Sequence, residues 1–495
     1  MKSKLATVIW WALPPAFALY VYWSGIFAWF QQDDFAWLNL QPALHTTRDL
    51  LAAVFLPAAH GTWRPLPERA YFITLQYLFG YNALPYRLLA FITQCANFAL
   101  VAVITRRLSG SRLAGLLAAL FWIACWQLIV VMSWSSEYIL PACGFCILLA
   151  FYLFLRYAET GQRNYWAWCW AVFLAGFLMM ESNIVLPLLA VSYAFLFARP
   201  VLRKSLLLLI PSAIYGIAHL AIANRHGTGV YAMHFGFSML ATLGSYLPKA
   251  FEVESFDSFT GLPAWYSPVA AVVFGAALSG FVLWRALRRD WLPAMLVAWF
   301  VFLLAPVLPL RDHVVPYYLT LSMIPLSMLA ALAVARAWNW RASWPLAVGA
   351  RALATALAIA FLVESVPVAK GGTTWWADNS HQVERLARYV FRLHARCPEA
   401  IIVLRNVQSL LFWTGLAHHP FWNAAGSYVY LASGSEQTIE SRPETGFRVA
   451  DFIYPDDRLK QDLIHNRVIV VDVSRAGFFD VTSQYRVAPN TAALH

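Results

Sequence analysis

Residues 8–30 read VIWWALPPAFALYVYWSGIFAWF, and residues 31–37 continue QQDDFAW. The first stretch carries no charged side chain. At about 1.5 Å of rise per residue it is long enough, as a helix, to cross the ~30 Å hydrocarbon core of a bilayer. A cleavable signal peptide has a shorter apolar core and a small-residue cleavage site. The run is therefore expected to be an uncleaved first transmembrane helix, preceded by Lys2 and Lys4 and followed directly by the acids Asp33 and Asp34.

The rest of the chain has the same character. Of its 495 residues 60% are hydrophobic and only 12% charged, against about 25% charged in soluble domains. Aromatics make up 16%, including 23 Trp and 22 Tyr, residue types that settle at membrane–water interfaces. Further apolar runs lie at about Leu88–Ile104, Leu113–Met132, Tyr138–Leu155, Trp166–Met180, Ile184–Ala198, Leu206–Ala223, Val269–Leu287, Trp291–Leu310, Pro316–Val334 and Trp344–Val363. The expected fold is an all-α polytopic membrane protein of about eleven transmembrane helices.

Charge sets the expected topology. With the N-terminus inside, the inner segments hold Lys2 and Lys4, then Arg106, Arg107 and Arg112, then Arg156 and Arg163. Later ones hold Arg199, Arg203 and Lys204, then Arg285, Arg288 and Arg289, then Arg336 and Arg341. The short outer loops around Glu137, Glu181 and Asp312 hold Arg311 as their exception. This is the positive-inside pattern. The net charge of +11 is thus spread over short loops rather than gathered in one stripe, which argues against a nucleic-acid partner.

Two outer loops are long, at 31–87 and 224–267, and mix aromatics, Gly, Pro and acids. After about Pro367 the composition changes. Residues Trp375–Arg396 mix apolar and charged positions at helical spacing, and Ala400–Leu404 and Val468–Val473 are β-rich. The expected organisation is a transmembrane domain over 1–367 and a small C-terminal α/β extramembrane domain over 368–495. Five of the six cysteines lie in apolar runs; Cys143 and Cys146 have C-x-x-C spacing without a second pair or a His cluster, so no disulfide framework or metal site follows.

Acids beside a membrane helix are the residues to weigh for chemistry, because carboxylates at that level cost energy unless hydrated, paired or used. Asp33 and Asp34 fit either a reactive pair or a solvated helix end that caps a following interfacial helix. The same loop runs His60-Gly61-Thr62-Trp63-Arg64-Pro65-Leu66-Pro67-Glu68-Arg69. Arg64 and Arg69 suit a phosphate by paired donors, or interfacial anchoring. Glu68 is a further acid or an Arg-paired loop carboxylate. Glu137 reads as structural and His219 as a helix-packing hydrogen bond. His418-His419 lack the further ligands a metal would need, and Trp375-Trp376 read as an interface anchor.

Asp33-Asp34-Phe35, Trp63-Arg64-Pro65-Leu66, and Tyr77–Gly80 with Pro85-Tyr86-Arg87-Leu88 resemble the first outer loop of the C-type glycosyltransferase superfamily. The resemblance is closest to the branch of protein O-mannosyltransferases and their bacterial relatives. Met180-Glu181-Ser182-Asn183-Ile184-Val185-Leu186-Pro187 is similar to a Lys-Glu motif followed by Leu-Pro at an outer helix end, and Arg311-Asp312-His313 through Tyr317-Tyr318-Leu319 is similar to a late outer-loop motif. The resemblance covers roughly the first 340 residues in order. Two departures stand out: Met180 replaces the family's Lys, removing one candidate phosphate contact, and Ser133-Trp134-Ser135-Ser136-Glu137 replaces a His-rich motif.

What the resemblance implies is an inverting transfer of sugar from a polyprenyl-phosphate donor to a glycan, lipid or protein acceptor on the outer face, and the compact loops with no cytoplasmic domain point to a bacterial inner membrane. Asp33 is then the base, with Asp34 second. Arg64, Arg311 and His313 are candidates for the donor phosphate. Glu68 and Glu181 are candidates to orient an acceptor hydroxyl or hold a divalent cation, Mg or Mn. The N-terminus would be cytoplasmic and the C-terminal domain periplasmic, with membrane lipids around the helices. The competing reading is a transporter or flippase of a lipid-linked substrate. Transporters place polar groups near the midplane and often show repeated halves; here the acids sit at one face, and no repeat is visible.

Overall fold

The computed structural model describes residues 2–57, 62–223, 229–252, 259–341, 343–419, 421, 429–442, 445, 447–474 and 477–487. His60 and Gly61, named above, lie outside the described residues. The chain divides into two compact units. One holds residues 1–27, 55–68 and 85–375; the other holds 28–54, 69–84 and 376–495.

In the first unit each of the eleven apolar runs carries a helix. These are α1 (Lys2–Ile26), α2 (Leu84–Ser109), α3 (Arg112–Ala124), α4 (Ile139–Thr160), α5 (Arg163–Gly176) and α6 (Leu186–Phe197). They continue as α7 (Leu209–Ala223), α8 (Tyr266–Leu287), α9 (Leu292–Leu304), α10 (Met323–Trp338) and α11 (Trp344–Arg396). Five segments among the described residues are long and apolar enough to cross a membrane: Leu84–Ser109, Ser135–Thr160, Arg199–Ile222, Tyr266–Leu287 and Trp344–Arg396. Large apolar side chains such as Ile214 and Ile217 on α7 and Val272 and Leu283 on α8 are exposed. Water would not tolerate so much apolar surface, but lipid does. The chain is an integral membrane protein.

Several helices stop short of their apolar runs at the end away from the basic loops. The run expected as Leu113–Met132 is helical only to Ala124, then turns through Trp126–Leu128. The run expected from Pro316 forms a turn at Pro316–Leu319 before α10 begins at Met323. Similar turns at Ser135–Tyr138, Glu181–Val185 and Ala305–Val307 precede α4 and α6 and follow α9. Non-helical backbone survives at this depth only where the protein itself satisfies it. Here it does. The Tyr22 hydroxyl donates to the carbonyls of Ile123 (2.7 Å) and Cys125 (3.2 Å) at the end of α3. The Trp122 indole donates to the Thr320 carbonyl at 3.0 Å, and the Thr320 hydroxyl to the Gln127 carbonyl at 3.3 Å. Hydropathy counts these buried turns as membrane span; only their hydrogen bonds show that they are not helix.

The expected break at 367 meets a continuous helix. Pro367 lies inside α11, which extends to Arg396. Proline removes one backbone donor there, but the buried stripe Val368, Thr373, Ala377, Val383, Leu386 and Val390 carries on past it at helical spacing. Composition changes at this point and periodicity does not.

The second unit contains a four-stranded sheet: β1 (Ile401–Arg405), β2 (Val429–Leu431), β3 (Val468–Ser474) and β4 (Gly477–Asp480). Its order is β2-β1-β3-β4. Strand β1 is parallel to both neighbours, with Ile402 opposite Val429 and Val403 opposite Val470, while β4 runs antiparallel to β3. The two β-rich runs of the sequence are its two central strands. Val403, Val468 and Val470 pack with Leu459 and Leu463 of the helix Asp456–Ile464. The same unit holds the acidic turn after α1 and the short helix Asp34–Leu38.

Candidate active site

The site residues named from the sequence fall in both units.

In the first unit Arg64 joins Glu68 to Glu181. Its Nη1 donates to Glu68 Oε1 at 2.7 Å. Its Nε and Nη2 donate to the two oxygens of Glu181 at 2.9 and 2.5 Å, a bidentate pair. The local folding explains why they meet. The Leu66 N–H donates to the Leu178 carbonyl at 3.2 Å, so the Arg64 loop is tied to the α5–α6 connection. Asn183 caps α5 by donating its amide to the Phe173 carbonyl at 2.8 Å, which pins the turn Glu181–Val185. Gly176 makes room for that side chain: a Cβ there would lie 2.3 Å from Asn183 Oδ1. The three charged side chains are 15%, 5% and 21% exposed for Arg64, Glu68 and Glu181. Burial pushes the Glu181 carboxyl upward, but the Arg64 guanidinium overrides it and holds the group at about 2.

Around this triad sits an aromatic stack. Trp63 and Phe177 both lie face-on to Tyr215, at 6.0 and 4.6 Å, and His219 stacks on the same ring at 5.9 Å. His219 is within electrostatic reach of Glu181, a role beyond the helix packing expected of it. Tyr318 lies within reach of Arg64, Glu137 and Glu181. His313 packs against Tyr318 at 5.7 Å and Tyr231 at 4.6 Å. Arg311 is 62% exposed, with Asp312 Oδ1 at 3.8 Å from its Nε; Asp312 in turn meets His234 at 3.2 Å.

This arrangement changes the reading of three residues. Arg64 meets two carboxylates rather than presenting a free fork to a phosphate. Glu68 and Glu181 face a guanidinium between them, and both carboxylates pair with Arg64. Among the described residues no three His, Cys, Asp or Glu side chains gather to hold a metal. The i,i+4 spacing of Arg64 and Glu68 was visible in the sequence; the Glu181 partner was not.

In the second unit the two acids of the turn separate in character. Asp34 is fully buried, and its Oδ2 accepts the Gln31 N–H at 3.1 Å. It builds the turn. Asp33 is 49% exposed, and its Oδ1 lies 3.2 Å from Nε2 of His418. Gln32, directly before the two acids, adopts a positive φ of 49°, which turns the chain into the pair. The Gln32 N–H donates to the Thr414 carbonyl at 2.7 Å, and the Trp29 N–H to Ser380 Oγ at 2.8 Å. Arg69 is buried, with Nη1 on the Ala53 carbonyl at 3.3 Å and its guanidinium 5.9 Å from the Trp37 ring. His418 was missed as an Asp33 partner because the two lie at opposite ends of the chain, where no spacing signal exists.

Residues 64–224 match a family model described as dolichyl-phosphate-mannose-protein mannosyltransferase. The match spans about a third of the chain and takes in Arg64, Glu68 and Glu181. It supports the C-type superfamily of membrane glycosyltransferases that use polyprenyl-phosphate sugars. The family match indicates a glycosyltransferase. Two crystal structures of ArnT from Cupriavidus metallidurans are similar to it. The apo structure shares 13% identity over 98% of this chain and 96% of that one, with a TM-score of 0.48. The structure bound to undecaprenyl phosphate shares 14% over 98% and 95%, with a TM-score of 0.42. No curated protein matches the chain.

Proposed function

We propose that the protein transfers a sugar from a polyprenyl-phosphate donor to an acceptor hydroxyl on the outer, periplasmic face of a bacterial inner membrane, with inversion at the anomeric carbon. The observation that carries the assignment of the base is the contrast between the two acids: Asp34 is fully buried within its own turn, while Asp33 is half-exposed. Asp33 takes the proton of the acceptor hydroxyl as its oxygen attacks the anomeric carbon. The bond from that carbon to the phosphate oxygen breaks, and the electron pair leaves with the polyprenyl phosphate. A phosphate is a competent leaving group, so one base and cationic stabilisation of the phosphate suffice.

Arg311 supplies that cation, and its exposure suits it to a headgroup at the membrane surface. His313 assists from the same loop. Arg64, held by Glu68 and Glu181, shapes the loop rather than meeting the phosphate. A lipid donor keeps its tail in the bilayer, so the reacting carbon sits at the headgroup level, where loops rather than helix centres meet it. The basic loops favour an N-terminus in the cytoplasm.

The test is transfer by the purified protein from a labelled polyprenyl-phosphate sugar to envelope glycolipid, glycan or protein fractions, with the product's anomeric configuration read by NMR. Labelled product of inverted configuration is expected. No transfer to any fraction, or retention of configuration, overturns the reading.

A further inference from the structure

The C-terminal domain does more around Asp33 than pack against its turn. Four contacts within the second unit fix the segment from Trp29 to Asn39. Trp29 is held by Ser380, Gln32 by Thr414, and Asp33 by His418, while the Asn39 amide donates to the His419 carbonyl at 3.2 Å. Three of these four partners lie in the short stretch 414–419. It follows β1 through the helix Ser409–Gly415, whose Leu411, Phe412 and Trp413 are buried. The stretch is therefore rigidly mounted.

His418 sits at its exposed end. Its ring meets Phe447 edge-on at 5.0 Å, and its side chain is 20% exposed. The next residue, His419, adopts a positive φ of 49° and stacks its ring on Phe452 at 4.6 Å. The left-handed turn directs the two imidazoles to different neighbours. Among the described residues, the titratable groups around His418 are Asp33 on the acidic turn and His419 on its own segment. A carboxylate only accepts, so Nε2 of His418 is the donor to Asp33 Oδ1.

We infer that His418 is a positioning residue for the transfer reaction: its Nε2–H holds the Asp33 carboxylate in the orientation that receives the acceptor's proton, so the C-terminal domain completes the catalytic machinery. The inference rests on the reading of Asp33 as the base. A neutral donor suits the task. Burial disfavours the imidazolium against the pull of Asp33, so His418 orients the carboxylate without adding a full positive charge that would weaken it as a base. A hydrogen bond that fixes a base matters because misplacing a reacting group by about 1 Å costs on the order of a hundredfold in rate.

The experiment compares wild type with His418→Ala, His418→Gln, Asp33→Asn and the double variant Asp33→Asn/His418→Ala, as full-length protein, in the labelled polyprenyl-phosphate sugar assay. His418→Ala is expected to lower kcat by about tenfold to a hundredfold with little change in KM for the donor. Glutamine keeps an N–H donor and is expected to restore a large part of kcat. The double variant is expected to be no slower than Asp33→Asn alone, because both changes act through one group. If Asp33→Asn is inactive while His418→Ala has full kcat, the positioning role is overturned and the base reading stands. If Asp33→Asn keeps full activity, the base reading fails and this inference with it. Losses that add in the double variant, or a change in KM alone, also overturn it. If His418→Ala does not fold, His418→Gln decides: a folded glutamine variant as slow as Asp33→Asn overturns the donor role.

Discussion

Replacing Arg64 by Met tests whether the Arg64–Glu68–Glu181 triad holds the first loop in place. The substitution keeps the bulk of the side chain and deletes its charge. Two carboxylates, 5% and 21% exposed, then face each other without a cation. Glu181 gives a scale for the loss: Arg64 and burial together bring its pKa from 4.5 to about 2, and each unit is worth about 1.4 kcal/mol. The shift is thus worth about 3 kcal/mol, trimmed somewhat by residual solvent screening. Breaking a buried pair while leaving its partners charged costs about 3–5 kcal/mol. The two estimates agree, and Arg64→Met is expected to destabilise the protein by about 3–5 kcal/mol. The assay is unfolding in mixed micelles followed by tryptophan fluorescence, with Glu181→Gln and the double variant completing a cycle. Because neutralising Glu181 removes one unpaired charge, the double variant is expected to recover about 2 kcal/mol of the Arg64→Met loss. A loss below about 1 kcal/mol, the scale of an exposed ion pair, or strictly additive changes, would refute the reasoning.

Gly176→Ala is expected to displace the turn Glu181–Val185, since its Cβ would meet Asn183 Oδ1 at 2.3 Å; a crosslink between cysteines placed at Leu66 and Leu178 should then form more slowly than in the parent, and an unchanged rate would count against the Asn183 cap. Arg311→Ala is expected to raise KM for the donor by about tenfold or more, as loss of a hydrogen bond to a charged group costs about 1.5–3 kcal/mol; a change confined to the acceptor's KM would move Arg311 away from the phosphate. The His418 pKa is lowered in the folded protein, so the folded state favours its neutral form. Its contribution to stability is complete above the ordinary histidine range near 6.5 and declines as pH falls below it. Unfolding followed from pH 7.5 to 5 should show this decline in wild type and less of it in His418→Gln.

The fold was legible because hydropathy and charge act locally. Each apolar run became a helix, and the basic clusters fell at one set of helix ends. The turns at Trp126–Leu128 and Pro316–Leu319 were not legible. They are as apolar as the helices they replace, and only partners such as Tyr22 and Trp122 allow the helix to end there. The continuous α11 was hidden by a change in composition that its buried stripe ignores. At the site, the motifs named candidate residues one at a time. Two facts needed three dimensions: that Glu181 claims Arg64, and that His418 meets Asp33.

The most direct measurement is the rate of sugar transfer from a labelled polyprenyl-phosphate sugar by wild type, Asp33→Asn and Asp34→Asn at equal folded concentration. The account predicts that Asp33→Asn lowers kcat by about a hundredfold to ten-thousandfold, the range a general base contributes, with donor binding retained. An Asp33→Asn protein that transfers sugar as fast as wild type would contradict it.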